Sequence, residues 1–142
     1  AMKKVLSVVL LTCVPLLVSA SDDAIDCENA MTTLEINQCA SISLESAQLE
    51  LDQYLEASFK HNAYDEELVN SIKVAQDSWQ AYMTAHCDSV YTQWRDGSIR
   101  GLMALSCKTE LTKKRTHEVW GNFLTYMDST PPVLPEPNLN ST

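Results

Sequence analysis

From residue 21 to residue 130 the chain has no proline, and it holds only three glycines, Gly97, Gly101 and Gly121. Strand-and-turn architectures use such residues at their reversals, so this scarcity excludes a β-sandwich or barrel and leaves long helices with few breaks. Basic residues are also scarce: residues 21–90 carry 14 acidic side chains against 2 basic ones, Lys60 and Lys73. A surface of that sign repels phosphate backbones and excludes nucleic acid as a partner. It either keeps a small domain soluble or speeds encounter with a basic partner. The chain also lacks Cys-x-x-Cys and His-Glu-x-x-His, which removes thioredoxin-type redox chemistry and the commonest zinc-hydrolase pattern. His61, His86 and His117 have no metal-ligand spacing, so neither a metal nor a cofactor is expected.

What is present begins with a leader. Lys3 and Lys4 precede an apolar run from Val5 to Val18, and Val18-Ser19-Ala20 fits the positions a signal peptidase reads. This pattern predicts a signal peptide over residues 1–20, cleaved after Ala20, and hence a periplasmic or secreted protein. The run is too short, and too closely followed by Asp22 and Asp23, to make a transmembrane span. Leu10-Leu11-Thr12-Cys13 has the outline of a lipoprotein signal. Thr12 stands where a smaller residue is usual, and apolar residues continue past Cys13, so lipidation is not expected.

Loss of the leader removes Cys13 and leaves Cys27, Cys39, Cys87 and Cys107, an even set that reads as two disulfides in an exported chain. Four cysteines allow three connectivities. Cys87 and Cys107 lie equally far on either side of Gly97, so a hairpin turning there brings them level on facing helices. Cys27 and Cys39 are close enough in sequence to tie the incoming segment to the first helix. The favoured pairing is therefore 27 with 39 and 87 with 107, with the crossed alternatives still open.

The expected fold class is all-α: a small disulfide-stabilised bundle of three main helices, an antiparallel hairpin with one helix packed alongside, over residues 21–127. Thr32 and Glu35 form a capping box ahead of the first helix, whose apolar stripe is Ile36, Ala40, Leu44, Ala47, Leu51 and Leu55. That helix should end near His61-Asn62. Asp65-Glu66-Glu67 open a second helix with charge of the sign its dipole favours, and its stripe runs Leu68, Ile72, Ala75, Trp79, Tyr82 and Met83. Ser98 is placed to cap the third helix. There Met103, Cys107 and Leu111 recur at four-residue steps, Arg115 interrupts, and Val119, Phe123 and Tyr126 resume. Residues 128–142, rich in proline and polar groups, should form an extended, mobile tail outside the core, with a formal glycosylation sequon at Asn140.

Among the side chains that carry chemistry, His86 and Cys87 invite a nucleophile–base reading. Neighbours on a helix point about 100° apart, so the imidazole does not reach the thiol and no catalytic residue is expected. Trp79 and Tyr82 fall on the core stripe. Tyr91, Trp94, Arg95 and Asp96 lie beyond it, in the connection that a Cys87–Cys107 bridge would pin. Large aromatics beside charges on a pinned loop have the composition of a protein-binding hot spot, and these four are the candidate partner contacts.

Taken together, Cys27 and Cys39-Ala40 enclosing Glu35 and Asn37, Ala75-Gln76 followed by Trp79, Tyr82 and Cys87, then Gly97-Ser98, Cys107, and Thr112 with Arg115, resemble the LprI-type lysozyme inhibitor family of the bacterial envelope. The likeness spans residues 27–119. It implies a cysteine-bridged helical domain and, for some relatives, inhibition of lysozyme, with no catalytic residues to carry over. The sequence departs from the family at Gln48, Asp52, Leu55, Asp77 and Met83 and near His86, so the likeness speaks more for fold than for target. The expected function is binding: occlusion of a basic lysozyme, or alternatively an envelope adaptor or immunity-type module that holds a bacterial protein.

Overall fold

A computed structural model describes residues 24–139. The signal peptide over 1–20, Cys13 and the Asn140 sequon lie outside the described residues. Three helices follow in order: α1 (Thr33–His61), α2 (Glu66–Gln93) and α3 (Arg100–Phe123). The Thr32 side chain accepts from the Glu35 N–H while the Glu35 carboxylate accepts from the N–H groups of Thr32 and Met31, at 2.9 and 3.0 Å. This reciprocal box satisfies donors that the first turn leaves free. Helix α1 ends at Asn62, a buried residue whose side-chain amide donates to the carbonyls of Ser58 (2.8 Å) and Phe123 (3.3 Å). One side chain therefore serves the C-terminal carbonyls of both α1 and α3. Asp65 caps α2 by accepting from the Leu68 N–H at 3.0 Å.

Helix α3 is the centre of the arrangement, packed against both α1 and α2, while α1 and α2 barely contact each other. The core gathers at the end where α1 finishes, α2 begins and α3 finishes. Leu51, Tyr54, Leu55, Ile72, Val119 and Leu124 are buried there, with Leu68, Trp79, Trp120 and Phe123 packed around them. At the opposite end no residue of α1 before Ala47 is fully buried.

The core stripes differ from the sequence expectation in several places: Ala75 of α2 is exposed, and Tyr126 is exposed beyond the end of α3. Tyr82 is 55% exposed and stacks on His86, while Ile72, Met83 and Cys87 are the buried positions of α2. On α3 the fully buried residues are Thr112, Thr116 and Val119. Each threonine hydroxyl donates to the carbonyl one turn back, Lys108 at 2.7 Å and Thr112 at 3.1 Å, so it is buried without an unpaired donor. Arg115 does not break the packed face. Its side chain is only 11% exposed, and its Nε donates to Gln76 Oε1 at 3.0 Å, joining α3 to α2. Ser98 is not the cap of α3: Ile99 occupies that position and supplies no side-chain bond.

The tail beyond residue 127 has no helix or strand among its described residues and packs on the helices over that length. Leu134 packs against the core and Pro137 is buried. The Val133 N–H donates to the Leu124 carbonyl at 2.9 Å, Trp120 Nε1 to the Leu134 carbonyl at 2.9 Å, and the Tyr54 hydroxyl to the Pro135 carbonyl at 2.6 Å. Prolines lack an N–H and lose little freedom on ordering, so the tail docks as a strap through the Leu134 and Pro135 carbonyls with the Val133 N–H as a donor. Burial, with the Glu50 charge adding to it, holds the Tyr54 phenol above its ordinary pKa, so the hydroxyl keeps the proton it donates. His117 Nε2 and Glu136 Oε1 lie 2.8 Å apart at the strap's outer edge.

Candidate functional site

Two disulfides shape the end of the molecule opposite the core. Cys27 pairs with Cys39 and Cys87 with Cys107, with Cα–Cα distances of 5.6 and 5.7 Å. The favoured pairing is thus the observed one. Cys87 is wholly buried and its sulfur is bonded, so no thiol is available beside His86. Among the described residues no cluster of three His, Cys, Asp or Glu side chains could hold a metal ion.

The Cys87–Cys107 bridge pins a compact tip between α2 and α3. Trp94 ends α2 with its N–H on the Val90 carbonyl at 3.2 Å, and the Gly97 N–H returns to the Trp94 carbonyl at 2.8 Å. Tyr91 and Trp94 are each 40% exposed, and Ile99 is exposed beside them. The Arg100 guanidinium sits 4.9 Å from the Tyr91 ring centroid, a cation–π contact that steadies the ring's outward pose. Arg95 and Asp96 are exposed at the apex. The four contact candidates are therefore all exposed at the α2–α3 connection, and Ile99 joins them although nothing in the sequence pattern singled it out.

Next to the tip lies a groove of about 1040 Å³, walled by the first half of α1 and the end of α2, floored by α3 and closed by Ala24 and Ile25. Leu34, Ile42 and Leu105 give it an apolar lining, Asp88 and Lys108 supply charge, and Tyr91 belongs to both groove and tip. Its floor approaches α1 closely at Gly101, where a Cβ atom would stand 3.3 Å from both polar atoms of the Asn37 amide. Further along lies a small polar hollow of about 180 Å³, lined by Gln48, Asp52, Gln76, Trp79 and Thr112 among others. Gln48, Asp52 and Met83, three positions at which the sequence departs from the family pattern, all line it. The groove was not legible in the sequence, because its walls come from three helices whose relative placement no local pattern encodes.

No helix among the described residues is long and apolar enough to cross a membrane. No solved structure matches the chain. An uncharacterised protein of Rhizobium meliloti (strain 1021) is 29% identical over 121 residues, covering 78% of this chain and 87% of the relative. The family model described as lysozyme inhibitor LprI matches residues 26–119, a span that encloses both disulfides, the tip and the helical walls of the groove and stops short of the strap. With both disulfides inside the matched span, the chain belongs to the LprI lysozyme inhibitor family.

Proposed function

We propose that the protein is exported after cleavage at Ala20 and inhibits a basic lysozyme by occlusion, with the α2–α3 tip as the inserted element. The observation that carries this reading is the disulfide-pinned connection with its exposed Tyr91 and Trp94 on a chain of an inhibitor family. A glycosidase cleft is a concave surface holding two carboxylates, and blocking it requires a protruding, pre-ordered element rather than chemistry. Trp94 and Tyr91 offer ring faces of the kind that dominate such contacts. Arg95 places a cation at the apex, where it meets an ionised carboxylate, and the acidic body steers a basic enzyme toward it.

The test is muramidase activity on cell walls against c-type, g-type and i-type lysozymes with increasing protein. Inhibition of at least one at micromolar excess is expected. Trp94→Ala should raise its inhibition constant roughly thirtyfold, the effect of a hot-spot loss of about 2 kcal/mol. Full activity of all three enzymes under excess protein would remove the proposal.

A further inference from the structure

We infer that the surface under the strap is a binding site for proline-rich peptides of the order leucine, proline, acid, proline, and that the chain's own tail fills it in cis. The segment seated there is Leu134-Pro135-Glu136-Pro137. Its backbone is read at two consecutive carbonyls: Trp120 Nε1 donates to Leu134 at 2.9 Å and the Tyr54 hydroxyl donates to Pro135 at 2.6 Å. Tyr54 belongs to α1 and Trp120 to α3, so the segment bridges two helices that pack on each other. Side chains add selectivity. Leu134 packs on the core cluster that includes Tyr54, Val119 and Leu124, and His117 Nε2 lies 2.8 Å from Glu136 Oε1. The His117 and Trp120 ring centroids are 5.2 Å apart, which sets the acid contact beside the indole donor, and Pro137 is buried. Each proline fixes its own φ near −65° and turns the residue before it away from the helical region, so the segment loses little freedom on docking. Aromatic side chains meeting such a backbone are a general means of recognising proline-rich chains.

The seat is complete without the strap, since Tyr54, His117 and Trp120 lie on the helices and Leu124 ends α3. The connection between them adds little hold. Thr125 donates to the Gly121 carbonyl in the preceding turn, the Thr130 N–H donates to Asp128, and Met127 is fully exposed. Tyr126 meets the His61 ring edge-on at 5.8 Å, and the chain bonds to the helices again at Val133, whose N–H donates to the Leu124 carbonyl. The strap is therefore held where it meets the seat, from Val133 onward, a length that a free peptide reproduces. A segment of the same order in another protein finds the same two donors, the same apolar recess and the same imidazole. The tether gives the cis strap an effective concentration in roughly the millimolar range, so an incoming peptide competes with it instead of meeting an empty site. This seat is at the core end, opposite the disulfide-pinned tip.

The probe is a synthetic peptide with the sequence of residues 131–139, added to the isotope-labelled full chain while the Trp120 indole N–H resonance is followed. Leu134→Asp loosens the strap at its apolar contact and leaves the seat as it is, so the peptide should bind this chain about tenfold more tightly than the parent. In the loosened chain, Trp120→Phe and Tyr54→Phe each remove one donor while keeping a ring in place, and each should weaken binding about fivefold. A peptide of the same composition in scrambled order should not bind, and one with lysine in place of the glutamate should bind more weakly. Far-ultraviolet circular dichroism checks that every variant stays helical. If Leu134→Asp unfolds, Glu136→Lys, at an exposed position, loosens the strap at its outer contact and takes its place. Absence of binding to the loosened chain, equal binding of the scrambled peptide, or indifference to both aromatic substitutions would overturn the inference. So would dimerisation of the parent chain that the peptide reverses, since a second copy's strap would then fill the seat.

Discussion

Replacing Cys87 and Cys107 together by alanine should lower the free energy of unfolding by about 3 kcal/mol. The bridge closes a loop of 20 residues, and the chain entropy it withholds from the unfolded state is worth about 3.3 kcal/mol at 25 °C. Loss of packing at the buried Cys87 adds to this, since alanine leaves part of the sulfur's space empty. By loop length alone the Cys27–Cys39 bridge, with a separation of 12, is worth nearly as much, about 2.8 kcal/mol. The structure separates the two. Cys27 lies in an exposed segment ahead of α1, so opening its bridge frees that segment in the folded protein as well as in the unfolded one. Most of the entropy then cancels, and the Cys27→Ala, Cys39→Ala pair should cost about 1 kcal/mol or less. Urea unfolding followed by far-ultraviolet circular dichroism gives both values. Amide exchange adds a second readout: the tip, residues 94–99, should exchange faster only when the 87–107 bridge is absent. Equal losses from the two pairs, or a larger loss from the 27–39 pair, would refute the reasoning.

Tyr54→Phe keeps the ring in the core but removes the 2.6 Å bond to the Pro135 carbonyl; it should cost about 1 kcal/mol in urea unfolding and raise protease cleavage within residues 131–139. The glycines of α3 should respond in opposite directions. Gly121→Ala meets nothing within 4 Å and should stabilise by about 0.5 to 1 kcal/mol, whereas Gly101→Val drives into the Asn37 amide and should destabilise by about 1 to 3 kcal/mol, both read from thermal unfolding. The Glu35 carboxyl is held below its ordinary pKa by the N–H groups of Thr32 and Met31 and by the Thr32 side chain. Because the folded value is the lower one, its contribution is complete above the ordinary glutamate pKa of about 4.3 and disappears as pH falls through the folded value. The Met31 and Thr32 amide resonances should report this fraying on acidification, and Glu35→Gln should flatten their pH dependence; resonances unmoved between neutral and strongly acidic pH would show that the box carries no such coupling.

The parts of this fold legible in the sequence are those encoded locally. Thr32 with Glu35 and Asp65 ahead of Leu68 mark helix starts because capping acts over three residues. Cys87 and Cys107 declared their pairing because Gly97 stands midway between them. Thr112 and Thr116 did not read as core, since a hydroxyl looks polar until the carbonyl one turn back absorbs it. Arg115 was misread for a related reason: its charge marks it as surface, yet Gln76, 39 positions away, meets it inside the packed face. The strap docks through donors on Tyr54 and Trp120, the former 81 positions away, so no pattern within the tail announces it. The tip residues stood out by composition, whereas the groove exists only once α1 and α2 are set apart on α3.

The disulfides join the first described cysteine to the second and the third to the fourth, with neither loop threaded through the other in sequence order. A chain delivered amino terminus first into an oxidising space therefore presents its partners in the order in which they must be joined. Cys27 and Cys39 emerge and close before Cys87 exists to compete, and Cys107 then finds Cys87 as the single remaining thiol. Oxidation by order of arrival yields the native topology without a reshuffling step. For a chain exported as proposed, the order of arrival would thus help specify the covalent framework beside the packing of its helices.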